Sequence, residues 1–559
     1  MTETRADGTT QTTYTYDLTG RLATVTDPKA QVTTHTYLAD DSLSSTVYTN
    51  AVIATPSVSY TYDPVYARVA TMGDGIGTTS YTYKAPGQLG AGQVATVDGP
   101  LTNDVIAYTY SALGRVVTRT INGVANSVTW AFDALGRVTS EQNVLGTFTY
   151  GYDGVTSRLA TVSYPNGQTS TYSYLPNSQD HRLQTIHHQY PNLATLSKFD
   201  YTYDAVGNIL TWRQQADSTA TLWSYGYDAA DQLTRAVQWS TDPTPVVLKR
   251  YAYTYDPAGN RTSEQIDDAI TMATHDSLNR LVSQAPGGAI AVAGSVNEPA
   301  TVRIQGQPAT VDSTNAFRGT APTASGTNTF TITATDPSGN MATQAYQVNQ
   351  GGTSDAFTYD LDGNMTSDGT RTFEWDAKNE LVSVTQGSQR EDFAYDGSMR
   401  RVRATVTADG VVTSDARTVW CGTRICEDRD ASTNLVERRV SQLGVQIGGV
   451  DSYFAGDHLT TARVVTDGAG ATVAKYDTNP WGRRSVPYGT DFQDASLVGH
   501  RWAEVSELSL SLYRGYRPDL GRWLNEDPDG TADGLNQYRL CRQWAGVGGR
   551  SPGVDGSRL

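Results

Sequence analysis

Tyr14-Thr15-Tyr16-Asp17-Leu18-Thr19-Gly20-Arg21 is the stretch on which the reading of this chain turns. Two tyrosines stand two apart, an aspartate follows at once, a glycine comes three places later and an arginine next. Period two puts both rings on one face of a strand and the small residue between them on the other. The aspartate opens a turn by accepting hydrogen bonds from amides ahead of it, and glycine three places on fits the last position of a type I turn. Leu22 to Val25 begins the returning strand, so one unit reads as a β-hairpin.

The unit recurs. Phe132-Asp133 with Gly136-Arg137, Tyr203-Asp204 with Gly207-Asn208, Tyr255-Asp256 with Gly259-Asn260 and Tyr359-Asp360 with Gly363-Asn364 are clear copies. Looser ones start at Tyr152-Asp153, Tyr227-Asp228, His275-Asp276, Trp375-Asp376 and Tyr395-Asp396. Neighbouring aspartates are commonly 20 apart, and other gaps are 16, 24 or 28. Such self-similarity marks a repeat architecture. Uneven gaps suit hairpins lengthened at an outer loop, and no long stretch has the i, i+3, i+4, i+7 pattern of a helix. The expected fold is all-β: a coiled antiparallel β-hairpin ribbon. About 480 repeat residues, at roughly ten per strand and turn, make about 48 strands in a single ribbon on the order of 230 Å long. A twisted ribbon of that length coils into a barrel or hollow shell.

Composition agrees. Hydrophobic residues are 38% and charged residues 18% of the 559, too apolar for disorder and too polar for a membrane protein. Tyr at 33 against Phe at 10 suits strands whose ring bodies pack while their hydroxyls stay wet. The net charge is -16, with no dense basic patch, which argues against nucleic-acid binding and is read as solubility. No run of about 18 apolar residues occurs, so no transmembrane segment is expected. The start at Met1 is polar, lacks a secretory h-region and reads as though it begins inside an array, pointing to a fragment or to export by another route. Of the three cysteines, Cys421 and Cys426 are five apart and could pair, though the spacing does not demand it; Cys541 is the third. Neither these nor His187-His188, read as an exposed loop pair, make a metal site, and no cofactor motif is present.

Residues 295–349 break the pattern. Thr329 to Asp336 alternates cleanly and turns at Pro337-Ser338-Gly339-Asn340. This predicts an inserted immunoglobulin-like β-sandwich, read as a spacer because no aromatic cluster is present to stack on sugar.

The Tyr-Asp-x-x-Gly-Arg unit closely resembles that of the YD-repeat, or Rhs, family: bacterial Rhs and wall-associated proteins, the C component of insecticidal toxin complexes, and animal teneurins. The resemblance implies a YD-shell, here partial, that holds a toxic C-terminal polypeptide unfolded until delivery. Asp457-His458-Leu459, Arg463, Tyr476-Asp477 and Pro480-Trp481-Gly482-Arg483 resemble the opening of the family's core. Leu512-Tyr513-Arg514-Gly515-Tyr516, Asp519 and Gly521-Arg522-Trp523 resemble its centre, followed by Asp527-Pro528-Asp529-Gly530 and Gly534-Leu535-Asn536-Gln537-Tyr538. That core is an aspartyl-type autoprotease that cuts after a second, downstream Asp-Pro-x-Gly-Leu. The chemistry is that of a carboxylate pair, one neutral and donating, one ionised and activating water, with a nearby arginine to steady the charge. The resemblance makes Asp527 the catalytic aspartate and Arg522 its helper, with Asp529 and Asp519 in reserve. The plain alternative is that these aspartates only cap turns, and His458 is read as structural.

After Tyr538 the family pattern is lost. Val554 to Leu559 is a shadow of the cleavage motif, with Gly for Pro and Arg for Gly, which points to a frameshift or a decayed end. Only about 20 residues remain, so no toxin domain is expected here and self-cleavage is expected to be inactive. The divisions read from the sequence are 1–290 repeat shell, 291–352 insert, 353–490 shell continued, 491–540 core and 541–559 degenerate tail. The functional expectation is the C-terminal part of a polymorphic-toxin shell, secreted or at the cell surface, with an enclosed toxin polypeptide as partner and a secretion apparatus or surface glycan beside it. The alternative is a non-enzymatic surface protein that binds carbohydrate or contacts other cells.

Overall fold

The aspartate of each unit organises its turn as the sequence predicts. In a computed structural model of the chain, Asp17 Oδ1 accepts from the amides of Thr19 (2.9 Å) and Arg21 (3.0 Å), and its Oδ2 accepts from Arg21 Nε at 2.7 Å. Gly20 donates its N–H to the Asp17 carbonyl and takes a φ of 86°, which only glycine adopts freely. Asp133 with Arg137, Asp276 with Arg280 and Asp396 with Arg400 repeat the arrangement. The structure describes residues 1–540 apart from 6, 9, 124–125, 494–498 and 533, so Cys541 and the expected cleavage-motif shadow at Val554–Leu559 lie outside the described residues.

The tyrosine before each aspartate links one hairpin to the one before it. Its phenol donates to the carbonyl that opens the previous returning strand: Tyr62 to Leu43 at 2.8 Å, Tyr83 to Val69 at 2.6 Å, Tyr152 to Val138 at 2.7 Å and Tyr203 to Leu183 at 2.6 Å. The turn arginine lies over the next such ring, Arg68 at 4.0 Å from the Tyr83 centroid and Arg137 at 4.5 Å from that of Tyr152. On the other face the residue between the tyrosines pairs across the hairpin, as Thr15 with Thr24 and Thr61 with Thr71, both at 2.6 Å. The register shifts just ahead of the motif aromatic in hairpin after hairpin, at Thr15/Tyr16, Thr36/Tyr37, Thr61/Tyr62 and Thr202/Tyr203. A bulge bends its strand and increases twist, so bulges on one edge curl the wall in one sense.

The described strands form antiparallel sheets of 26 and 14 strands. They are joined through one extended segment. Asp355–Ala356 closes the first sheet on Leu281–Pro286, Phe357 donates to the Val282 carbonyl at 2.9 Å, and Thr358–Tyr359 opens the second sheet. The single ribbon expected from the sequence is thus two sheets with a hand-over, because the inserted strands leave after Pro286 and return before Asp355. The insert is two small sheets, of three and four strands, around a common core of Ile290, Val302, Ile304, Phe317, Ala321 and Phe330.

The coil is visible in how the second sheet lies along the first. Lys29 Nζ sits 2.9 Å from carboxylate oxygens of both Asp360 and Asp362. Further along, the amide of Ala377 donates to Thr55 Oγ1, that of Gly397 to Asp74, the Tyr453 phenol to the Leu145 carbonyl, and Asn166 to the Asp467 carbonyl. Residue numbers advance together on both sides of this seam, as two windings laid side by side require. The seam contacts of the first sheet come from the loops opposite its Tyr-Asp turns. His187-His188, expected in an exposed loop, lies instead in the strand Leu183–Gln189, where His188 is buried at the seam. A polar pair reads as loop, but strand alternation sends the two side chains to opposite faces. Asn177–Gln179 forms a short 3-10 turn, and among the described residues no helix is long and apolar enough to cross a membrane.

Candidate functional site

The C-terminal segment builds its own four-stranded sheet from Arg501–Ala503, Leu508–Leu510, Gly515–Arg517 and Arg522–Trp523. Leu508, Leu510, Leu520 and Leu524 pack on Phe357 of the joining segment and on Phe373, Trp375 and Phe393 of the second sheet. The Arg501 guanidinium meets the buried Asp428 at 2.8 Å, and Ser506 donates to Glu391 at 2.9 Å. Near the other end of the chain Arg5 pairs with Glu526 at 2.8 Å.

Asp527 opens a turn: its Oδ1 accepts from the Asp529 amide at 3.1 Å and its carbonyl from that of Gly530 at 2.8 Å. Its Oδ2 meets Arg514 Nη2 at 2.8 Å. Arg514 lies 4.2 Å from the Trp523 ring centroid and is nearly buried. Asp529 is exposed. Arg522 turns elsewhere, donating from Nη2 to the Asn279 carbonyl at 2.6 Å and lying 4.9 Å from the Tyr538 ring centroid. Asp519 is held by Arg517, which also pairs with Asp368. Burial works against the Asp519 charge, yet the Arg517 guanidinium keeps its carboxyl below the usual range. Asp527, Asp519 and Arg522 thus each have their own partner. The arginine on Asp527 is Arg514, which lies within the Leu512 to Tyr516 motif and carries no signal in the sequence that sets it apart from Arg517 and Arg522.

Two close carboxylate sets lie elsewhere. Asp360 and Asp362 share Lys29, and burial lifts Asp362 to about 6 against the pull of that lysine. In the unit Trp375 to Glu380, a glutamate stands where the clear copies have Arg21, Arg137, Asn208, Asn260 and Asn364. Burial and then the Asp376 carboxylate raise Glu380 to about 8, with Lys378 2.9 Å away. Its signal in the sequence is that one substitution at the donor position. Among the described residues no group of three or more His, Cys, Asp or Glu is placed to hold a metal ion.

The opening motif of the core converges with the C-terminal segment on one cavity of about 130 Å³. His458 is wedged against Tyr201 and Trp212, at centroid distances of 4.9 and 5.1 Å, and burial lowers its pKa. Arg463 lies 5.3 Å from the Trp212 ring and donates to Gln214 at 2.9 Å. Trp481 stands edge-on to Tyr253, and its carbonyl accepts from the Tyr516 phenol at 2.9 Å. The cavity is walled by the aromatic face of the first sheet, the turns at Asp457 and Asn479, and Tyr538 to Leu540. The indole N–H groups of Trp212, Trp223 and Trp481, Arg522 Nε, His458 Nε2 and His275 Nδ1 are buried there without a partner in the protein. A buried polar group left unpaired costs about 1–3 kcal/mol, so such a concentration calls for a reason.

Comparison with known proteins agrees with the fold. The RHS Repeat family model matches residues 1–32. The toxin subunit YenC2 of Yersinia entomophaga is 25% identical over 486 residues, 77% of this chain and 46% of that protein. The tRNA nuclease WapA of Bacillus subtilis is 29% identical over 198 residues, 32% of this chain and 8% of that one. The crystal structure of TcdB2-TccC3 without its hypervariable C-terminal region superposes with a TM-score of 0.66 at 16% identity, over 98% of this chain and 27% of that one. The chain spans less than half the length of each of these proteins. The repeat chemistry, the wound sheets and these relatives agree: the chain carries an RHS repeat at residues 1–32 and is similar in sequence and in fold to YD-repeat, or Rhs, proteins.

Proposed function

We propose that the chain is the C-terminal part of a toxin-carrying Rhs shell, secreted or surface-exposed, whose wall surrounds a polypeptide continuing from its C-terminal segment. The observation that carries this reading is the placement of residues 501–540. They pack on the second sheet, reach the first through Arg522 and Asn279, and bring the chain to Leu540 at an internal cavity between the two windings. The disulfide between Cys421 and Cys426 fits an oxidising compartment. The inserted sandwich serves as a spacer. The experiment is limited proteolysis of a full-length chain carrying a reporter peptide after residue 559. Protection of the reporter until the wall unfolds supports enclosure; cleavage at the rate of the free peptide refutes it.

The Asp527 region is read as a self-cleaving core that is inert in this chain. The reading is supported by the lost Asp-Pro-x-Gly-Leu motif and by the engagement of Asp527 in a turn and an Arg514 ion pair. The purified chain is then one band near 60 kDa. A discrete clipped product that vanishes in Asp527→Asn overturns inertness.

A further inference from the structure

We infer that the strand Met341–Gln350 of the insert is a docking edge for the same strand of a second copy of this chain, the two pairing antiparallel about a two-fold axis at Gln344. This strand ends the four-stranded sheet of the insert and pairs with Gly326–Thr335, without a register shift along its whole length. Gln305 donates to the Thr331 carbonyl at 2.9 Å, and Asp336 donates to the Asn340 carbonyl at 3.1 Å across the hairpin turn. Alternation along antiparallel strands then turns the N–H and C=O of Ala342, Gln344 and Tyr346 inward to the neighbouring strand. It turns those of Met341, Thr343, Ala345 and Gln347 outward to the free edge. Met341 to Gln347 is exposed at every position. The strand then meets the first sheet, where the buried Gln350 side chain bonds the Ile270 amide and the Asp268 carbonyl.

An open strand edge is a template for another strand, and proteins blunt it with shortness, proline, charge or a bulge. The other terminal strands of the described sheets are blunted. They are two or three residues long, apart from Arg484–Gly489, which carries Pro487, and Gly288–Ser295, where Gln265 bonds both the N–H and the C=O of Ala291. Met341–Gln350 has ten residues with no proline, no charged side chain and no bulge. An uncharged strand has nothing to select a partner of opposite sign and nothing to repel its own copy, which favours self-pairing. Pairing about Gln344 matches the exposed stretch end to end. Met341 then faces Gln347 and Thr343 faces Ala345, and each such pair exchanges both outward backbone hydrogen bonds. On the other face Tyr346, stacked on Phe330 at 5.9 Å and still 42% exposed, comes beside the small Ala342 of the second copy. The two Gln344 amides meet at the axis, each able to donate and accept. A two-fold contact closes on itself, so association stops at two copies. The contact lies on the insert and is independent of whether the wall encloses a polypeptide.

The test is sedimentation equilibrium of the full-length chain. One strand edge makes a small interface, so the mass is expected to rise from 60.3 kDa towards twice that value as concentration goes from about 1 µM to about 100 µM. Gln344→Lys sets two ammonium groups opposite each other at the axis and is expected to weaken the dimer at least about ten-fold. Ala345→Pro removes an outward N–H, spares the ladder within the chain, and is expected to do the same if the first variant does not fold. Gln344→Cys is expected to join two chains on mild oxidation through a bond between the substituted positions, read by peptide mapping. A pair at the axis without hydrogen bonds holds its Cα atoms about 4.5 Å apart, within disulfide range. A chain that stays monomeric at about 100 µM overturns the inference. So does a dimer that both variants, folded, leave intact.

Discussion

The His188 imidazole crosses the seam between the two windings: its Nε2 lies 2.9 Å from the Gly456 carbonyl oxygen, while its Nδ1 lies 2.6 Å from Ser170 Oγ. Burial pushes His188 down to about 4, and burial does the same to His500 in the C-terminal segment. The unfolded chain then binds protons that the folded chain refuses. Stability is full above about 6.5 and falls as pH drops towards about 4, by at most about 3 kcal/mol for each histidine. Urea unfolding between pH 7.5 and 4 should show this loss, and His188→Gln should flatten part of it. A profile unchanged by the substitution would refute the assignment.

Glu380 should act in the opposite sense. Its folded pKa of about 8 lies above the ordinary carboxyl value, so the folded chain holds a proton that the unfolded one releases. That contribution is present at low pH and is lost as pH rises from about 4.5 through about 8. Glu380→Gln should therefore stabilise the protein by about 2 kcal/mol at pH 9, after loss of the Lys378 ion pair, and have little effect at pH 4. A destabilised variant at pH 9 would mean that the ion pair outweighs burial.

Removing one phenol at a time should weaken the wall evenly. Tyr62→Phe, Tyr152→Phe and Tyr203→Phe each delete a hydrogen bond to the preceding hairpin and leave the ring in place. Each should cost about 1 kcal/mol in thermal or denaturant unfolding. Three null results would show that the ladder is a consequence of the fold and does not hold it.

Arg514 should matter more to the C-terminal segment than Arg522 matters to Asp527. Arg514→Ala leaves the Asp527 carboxylate without its guanidinium and bares one face of Trp523, a loss of about 2 kcal/mol given the partial exposure of Asp527. Combined with Asp527→Asn it should give a coupling of about 1 kcal/mol in a double-mutant cycle. The same cycle with Arg522→Ala should couple weakly; strong coupling there would restore the pairing suggested by family resemblance.

The reducing agent offers a further check. Peptide mapping without reduction should recover Cys421 joined to Cys426, and Cys426→Ser should lower stability by about 2 kcal/mol, the chain-entropy value for so short a loop. Free thiols at both positions in protein from an oxidising compartment would count against the bond.

The parts legible in the sequence are those whose cause is local. Asp17 meets its turn partners within four residues, so the order Tyr-Asp-x-x-Gly-Arg states the turn chemistry outright. The link from Tyr203 to Leu183 spans 20 residues and is implied by the repeat length. The seam is different. Lys29 and Asp360 lie 331 positions apart, and their meeting depends on accumulated curvature, which no short window contains. The pairing of Asp527 with Arg514 was hidden for a related reason. Arg514, Arg517 and Arg522 all precede Asp527, and only the short strands around Gly515 and Arg522 decide which of them turns towards the aspartate.

The repeated stagger ahead of the motif aromatic also has an evolutionary meaning. Each unit carries its own share of the bend, as each tapered brick does in an arch. Duplicating or deleting a unit lengthens or shortens the course and leaves its radius alone, so the length of the wall can change by unequal crossing-over without redesigning the masonry. The individual pairs where one course rests on the next, such as Lys29 with Asp360, do not repeat, and they are the joints that would have to be recut.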